Sequence, residues 1–217
     1  MKAVILDVDG TLVDSNDSHA HAWLAAFAEA GITVDYTAIR RAIGMGGDNL
    51  MPAVAGIESE SPEGKKISKR RGEIFTDTYL PALRAFPSVR LLIERFIADG
   101  FVPAVASSAA EEELQPLLEC AGIATLVPHR TSSDDAERSK PDPDIIQAAL
   151  RDVGCGPSEA IMLGDTPYDV EAATRAGVRI VGLECGGWSG EELAGAIAVY
   201  KDATDLLAHY DSSVFAS

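Results

Sequence analysis

Two aspartates separated by one valine, Asp7-Val8-Asp9, follow directly on an apolar run, Ala3-Val4-Ile5-Leu6. In extended backbone, alternate residues face the same side, so both carboxylates are expected to emerge together. They repel each other unless a cation, a shared proton or a basic side chain lies between them. Three more polar groups stand at comparable places. Ser107 and Ser108 follow the apolar run 102–106, Lys140 precedes Pro141 and the helical pattern from Asp144, and Asp165 and Asp169 follow the run 160–163. Several carboxylates, one ammonium, hydroxyls and glycine-associated backbone N–H groups are the inventory of hard-cation phosphoryl chemistry. Mg²⁺ takes oxygen ligands from a few carboxylates and binds phosphate oxygens. A carboxylate can act as nucleophile on phosphorus, and a second can move the proton of the leaving alcohol. Lys140 and Ser107 suit the phosphoryl oxygens.

These residues need elements to bring them together. Apolar runs that read as buried strands occur at 3–6, 102–106, 125–127, 160–163 and 179–182, with helical patterns at 89–98, 111–121, 144–153 and 169–176 between them. The helical patterns end on Gly100, Gly122, Gly154 and Gly177, as expected of C-terminal caps. Alternating strands and helices predict an α/β fold with a doubly wound parallel sheet, whose ligands lie at the carboxyl edge. The interval 15–83 breaks the rhythm with helical patterns at 18–30, 37–43, 48–54 and 63–80 and no convincing strand. It predicts a small all-helical domain, 15–83, inserted into a Rossmann-like core formed by 1–14 and 84–217. Within it, the basic run Lys65 to Arg71 reads as a solvated helix face before a substrate or partner contact, and the pair Arg40-Arg41 as a solvated face before a reach to an anionic substrate. The turn Gly44-Met45-Gly46-Gly47 reads either as a specificity loop or as a plain helix connection.

Composition narrows the function. There are 34 acidic against 18 basic residues, a formal net charge of −16, which argues against nucleic acid and anionic membranes as partners. A small phosphorylated metabolite is still possible, because a local site can be cationic. The three cysteines are widely spaced and show neither a disulfide framework nor a Cys-x-x-Cys pair. With no leader-like segment, a reducing cytoplasm is expected, and a monomer is the default.

Asp7-Val8-Asp9-Gly10-Thr11-Leu12, Ser107, Lys140-Pro141 and Gly164-Asp165-Thr166-Pro167-Tyr168-Asp169 resemble the four ordered motifs of the haloacid dehalogenase-like superfamily. The helical insertion is similar to that of its subfamily I phosphatases and β-phosphoglucomutases. The resemblance implies Asp7 as nucleophile and Asp9 as general acid/base, with Ser107 and Lys140 completing the catalytic set. It implies Mg²⁺ on Asp7, the Asp9 backbone carbonyl and Asp165, with Asp169 a further ligand, a water-mediated one or a partner of Lys140. Gly10, Thr11 and Ser108 are expected against the substrate, with Gly46 from the insertion. His19 either orients substrate or Asp9, or is structural. The presence of Asp9 favours an oxygen leaving group over a halide. A mutase reading is disfavoured, because the stretch 43–48 lacks the arginine that would hold a second phosphate. A phospho-acceptor regulatory module is the alternative from another class.

Overall fold

The structure, a computed structural model, describes residues 2–216. Six strands form one parallel sheet: β1 (Ala3–Leu6), β2 (Val102–Ala106), β3 (His129–Thr131), β4 (Ala160–Gly164), β5 (Arg179–Leu183) and β6 (Ala198–Tyr200). Their order is β3-β2-β1-β4-β5-β6. The chain therefore starts in the middle, runs outward to β3, and resumes on the other side of β1. That reversal leaves a crevice at the carboxyl ends of β1 and β4. Leu6 stands level with Val105 on one side and Leu163 on the other. Asp7, Ser107 and Asp165 consequently leave the sheet at one edge.

The continuous apolar runs are explained by burial on both faces. Val4, Leu6, Val105, Ile161 and Leu163 pack on one side with apolar residues of α5 (Val89–Ala98), α6 (Glu111–Cys120) and α9 (Ala203–Ala208). Ala3, Ile5, Ala160, Met162 and Ile180 pack on the other with α7 (Asp144–Val153) and α8 (Pro167–Ala176). Gly100, Gly122, Gly154 and Gly177 all take positive φ just past their helices, as their caps require.

The expected strand at 125–127 is a turn instead: the N–H groups of Leu126 and Val127 both donate to the Ile123 carbonyl. Ile123 and Val127 are apolar because they plug the core from that turn. The strand starts after Pro128, at the sheet edge, where His129 and Arg130 are only half-buried. β6 and α9 were not anticipated. β6 is a three-residue edge strand and α9 a six-residue helix, too short for a clear apolar period.

Between β1 and α5 the chain forms α1 (Asn16–Glu29), α2 (Tyr36–Ala42), α3 (Gly46–Ala55) and α4 (Pro62–Ile74). The pattern at 63–80 is divided: α4 gives way to a π-helical turn (Phe75–Tyr79) and a 3₁₀ turn (Leu80–Ala82). The segments entering and leaving these helices pair with each other, Asp14 N–H to the Arg84 carbonyl and Phe86 N–H to the Leu12 carbonyl, both at 3.0 Å. Trp23, Phe27, Ile39, Leu50 and Phe75 join the same apolar cluster as Val8, Leu12 and Val13, so the helices are docked on the sheet's edge.

Candidate active site

β1 delivers Asp7 into a buried position, where its N–H extends the ladder to the Leu163 carbonyl at 3.0 Å. Its Oδ1 lies 2.5 Å from Lys140 Nζ, and Lys140 Nζ also lies 2.8 Å from Asp169 Oδ1. Asp169 belongs to the first turn of α8, where its Oδ2 accepts from the Thr166 N–H at 3.0 Å and the Thr166 hydroxyl at 2.7 Å. The capping box thus aims one carboxylate oxygen at Lys140. Of the roles expected for Asp169, partner of Lys140 is the one seen directly.

Thr11 and Gly10 lie behind Asp7 rather than against the cavity. The Thr11 hydroxyl stands 3.1 Å from Asp7 Oδ2 and 2.8 Å from Asp165 Oδ1. Its single proton can serve only one of them at a time. Asn16, at the start of α1, donates to Asp165 Oδ2 at 3.0 Å and to the Gly186 carbonyl at 3.2 Å. No ion pair reaches Asp165 among the described residues. Burial, then the charges of Asp7 and Asp169, push its carboxyl well above the ordinary range. Asp7 is raised to about 7 by burial, an effect that Lys140 reduces but does not cancel, and Asp169 adds to it. Lys140 is raised as well: burial opposes its charge, but Asp169 and Asp7 outweigh burial.

Oxygens of Asp7, Asp165 and Asp169 lie within 4.8 Å of one another. A cluster of hard oxygen donors with more negative charge than Lys140 can neutralise fits a divalent cation such as Mg²⁺. The backbone makes room for it. Gly10 holds φ +80°, and a Cβ there would fall 2.1 Å from Asn16 Nδ2 and 2.3 Å from Asp165 Oδ2. The Asp9 side chain is turned away from this cluster, so the metal role expected of Asp9 can come only from its main-chain carbonyl.

Asp9 Oδ1 accepts from Ser15 Oγ at 2.5 Å and lies 2.9 Å from His19 Nε2. His19 is itself fixed by stacking on Phe75, ring centroids 3.9 Å apart. Burial works against ionisation of Asp9, but His19, Ser15 and Arg71 outweigh it and hold the carboxyl below its usual range. Val8, between the two aspartates, is fully buried. Asp7 and Asp9 nevertheless line one cavity of about 60 Å³, together with His19, Ser108, Gly46 and residues of the helical segment. Ser107 is buried at the end of β2, its Oγ accepting from the Ala109 N–H at 3.0 Å, which leaves its proton free to donate.

The Gly44–Gly47 turn borders that cavity and touches the core: a Cβ on Gly44 would meet Thr166 at 2.8 Å. Asp48 accepts from the Ser139 N–H at 3.1 Å, and Asn49 donates to the Lys140 carbonyl at 3.1 Å. Arg40 and Arg41 are not only a solvated face: Arg40 is half-buried, and Arg41, though exposed, also reaches the core. Arg40 donates to the Gly186 carbonyl at 2.7 Å, and the Arg41 guanidinium sits 3.9 Å from the Trp188 ring centroid. The end of the basic run is also corrected, since Arg71 lines the cavity and pairs with Glu113 of α6 at 2.7 Å.

Ser15, Asn16, Arg71 and Glu113 were missed as site residues. Ser15 and Asn16 directly precede an apolar helical pattern and follow the aspartate loop, a signal available in the sequence. Arg71 and Glu113 are far apart in the chain and carried none.

The family profile described as haloacid dehalogenase-like hydrolase matches residues 4–183. A phosphoglycolate phosphatase from Rhodospirillum rubrum is 31% identical over 215 residues, covering 94% of this chain and 89% of that protein. A validoxylamine A 7'-phosphate phosphatase from Streptomyces hygroscopicus subsp. limoneus is 28% identical, covering 94% and 95%. Among solved structures, a hydrolase from Pseudomonas syringae superposes with a TM-score of 0.90 at 29% identity, covering 98% of this chain and 99% of that one. The chain belongs to the haloacid dehalogenase-like hydrolases.

Proposed function

We propose that the protein is a Mg²⁺-dependent phosphatase that hydrolyses a small phosphate monoester through an aspartyl-phosphate on Asp7. One observation carries this reading. Two carboxylates from one loop line the same cavity in opposite surroundings, Asp7 beside Lys140 and the acidic cluster, Asp9 beside Ser15 and His19.

Asp7, Asp165 and the Asp9 main-chain carbonyl would hold Mg²⁺, with Asp169 within the same cluster. When bound, the ion supplies charge compensation to the cluster and to phosphoryl oxygens. Asp7 attacks phosphorus and the ester P–O bond breaks. The leaving alkoxide takes a proton from the Asp9 carboxyl, which enters this half protonated and leaves it as carboxylate, held by Ser15 and His19. Lys140 and the Ser107 hydroxyl stabilise the phosphoryl oxygens. In the second half, Asp9 takes a proton from water as it attacks phosphorus, the bond to Asp7 breaks, and phosphate leaves. The lowered pKa of Asp9 suits this second half, where it must start as a base.

The mutase alternative needs an unpaired cation in the cavity for a second phosphate, and the guanidinium on its wall, Arg71, is already paired with Glu113. The arginines nearest the 43–48 turn, Arg40 and Arg41, instead face Gly186 and Trp188. A phospho-acceptor module has no use for an acid/base such as Asp9. We further read the protein as a cytoplasmic monomer acting on a small metabolite rather than on nucleic acid or membrane, on its charge of −16 and its free cysteines. Among the described residues, no helix is long and apolar enough to cross a membrane.

Phosphate release from p-nitrophenyl phosphate tests the reading. Asp7→Asn is expected to lower turnover by roughly a thousandfold or more, because it removes the nucleophile. Asp9→Asn is expected to do the same, and chelation of divalent metal to abolish activity until Mg²⁺ is restored. Near-normal turnover by folded Asp7→Asn protein would refute the assignment.

A further inference from the structure

Arg71 is the one guanidinium on the cavity wall, and it is not free. It projects from the last turn of α4, and its Nη1 donates to both carboxylate oxygens of Glu113, at 2.7 and 2.9 Å. The pair is largely hidden from solvent, with 14% of the Arg71 side chain and 6% of the Glu113 side chain exposed. The guanidinium also lies 5.3 Å from the Trp23 ring centroid. Its Nε is buried with no hydrogen-bond partner. The cavity wall therefore offers a mutually neutralised ion pair, carboxylate acceptors and an aromatic ring beside the reacting aspartates.

We infer that this site selects phosphate esters of uncharged, hydroxyl-bearing alcohols, of polyol or sugar type, and that Glu113 is the residue that rejects esters with an anionic tail. The inference rests on the phosphatase reading and specifies its substrate class. A carboxylate tail would have to reach Arg71 in competition with Glu113 and alongside Asp9. Like charges brought together in a desolvated enclosure are strongly unfavourable. A hydroxyl has neither problem. It donates a hydrogen bond to a Glu113 carboxylate oxygen without adding charge, and its carbon skeleton lies against Trp23, while a buried polar group left unpaired by a poorer substrate is costly. The reading departs from the phosphoglycolate phosphatase relative, whose named substrate ends in a carboxylate.

Matched ester pairs decide the matter, because each differs only in CH₂OH against carboxylate. They are 2-hydroxyethyl phosphate with 2-phosphoglycolate, and glycerol 3-phosphate with 3-phosphoglycerate. Wild-type kcat/KM is expected to favour the neutral member of each pair by roughly tenfold or more. Glu113→Gln keeps the volume and one acceptor but frees Arg71 to bind an anion. It is expected to cut the preference by roughly tenfold, through a lower KM for the carboxylate esters. Equal or reversed wild-type preference overturns the inference, and this arm stands even if the variant fails to fold. A preference that a folded Glu113→Gln protein retains in full overturns the role of Glu113. Hydrolysis of p-nitrophenyl phosphate separates the two failures: if wild type cleaves it but shows no preference, the substrate class falls alone. If wild type cleaves none of these esters, the phosphatase reading falls and this inference with it.

Discussion

Asp7 and Asp9 leave the same strand end, yet burial acts on them with different results. Asp9 has His19 and Ser15 directly on its oxygen and is held ionised. Asp7 shares Lys140 with Asp169 and is raised from 3.8 to about 7, and Asp165, with no ion pair among the described residues, is raised in the same direction by burial and by the charges of Asp7 and Asp169. The sign follows directly. Between the unfolded value of 3.8 and the folded value of about 7, the folded protein holds more protons on Asp7 than the unfolded chain does. Metal-free stability from this group is therefore fully present below the unfolded value and is lost as pH rises through the folded one. A divalent ion takes the place of those protons, so protons and Mg²⁺ compete. The increase in melting temperature produced by Mg²⁺ is expected to be larger near about pH 7.5 than near about pH 5.5, with an apparent affinity roughly tenfold or more higher at the upper pH. Thermal melts with and without Mg²⁺ at the two pH values check this, and an equal increment at both would contradict the cluster as the metal's seat.

The connections between elements hold these groups closer than the elements alone would. The turn from β1 to α1 folds back through four N–H groups: Gly10 donates to the Val13 carbonyl, and Thr11, Leu12 and Val13 donate to the Val8 carbonyl. Gly10 is required there for its positive φ and because Asn16 and Asp165 occupy the space of a Cβ. Gly10→Ala is expected to destabilise the fold by ~2 kcal/mol or more, from the left-handed strain together with the overlap. It is also expected to weaken Mg²⁺ binding, because Asp165 must move. Denaturation midpoints and Mg²⁺ titration measure the two effects, and unchanged values for both would remove the turn's role. Much of this layout was legible in the chain. Central strands are apolar throughout because both faces are covered, so β1, β2 and β4 and the residues that follow them could be placed from sequence. Edge strands lack that signature, and β3, with His129 and Arg130 half-buried, was sought four residues too early. The break of α4 into a π-helical turn, which brings Phe75 under His19, had no period of its own to show. Arg71 was read by its neighbours in sequence, a run of lysines and arginines, whereas its environment is set by Glu113 and Trp23 from other helices.

Across the molecule, the helical segment meets the sheet's carboxyl edge at three separate places. Arg40 and Arg41 reach the loop after β5, Asp48 and Asn49 reach residues 139 and 140, and Arg71 reaches Glu113. Two paired linkers are its covalent connections, and these contacts add to the apolar packing on Val8, Leu12 and Val13 in holding it over the cavity. Contacts of this polar, partly exposed kind are weak individually. Arg41 is the clearest to isolate. It stacks on Trp188, pairs with Glu192 and does not line the cavity, and 48% of its side chain is exposed. An exposed cation–π contact with a screened ion pair contributes ~1 kcal/mol to the docked arrangement. If docking is coupled to substrate binding, Arg41→Ala shifts the balance toward the open arrangement, and substrate must supply the difference. KM is then expected to rise roughly fivefold, the equivalent of that ~1 kcal/mol. Turnover should hold or increase, because a weaker latch cannot slow reopening after the reaction. Steady-state kinetics on p-nitrophenyl phosphate, with a melting curve to show that the fold is intact, test the coupling. A fall in kcat at unchanged KM would place Arg41 in the chemistry instead of in the closure.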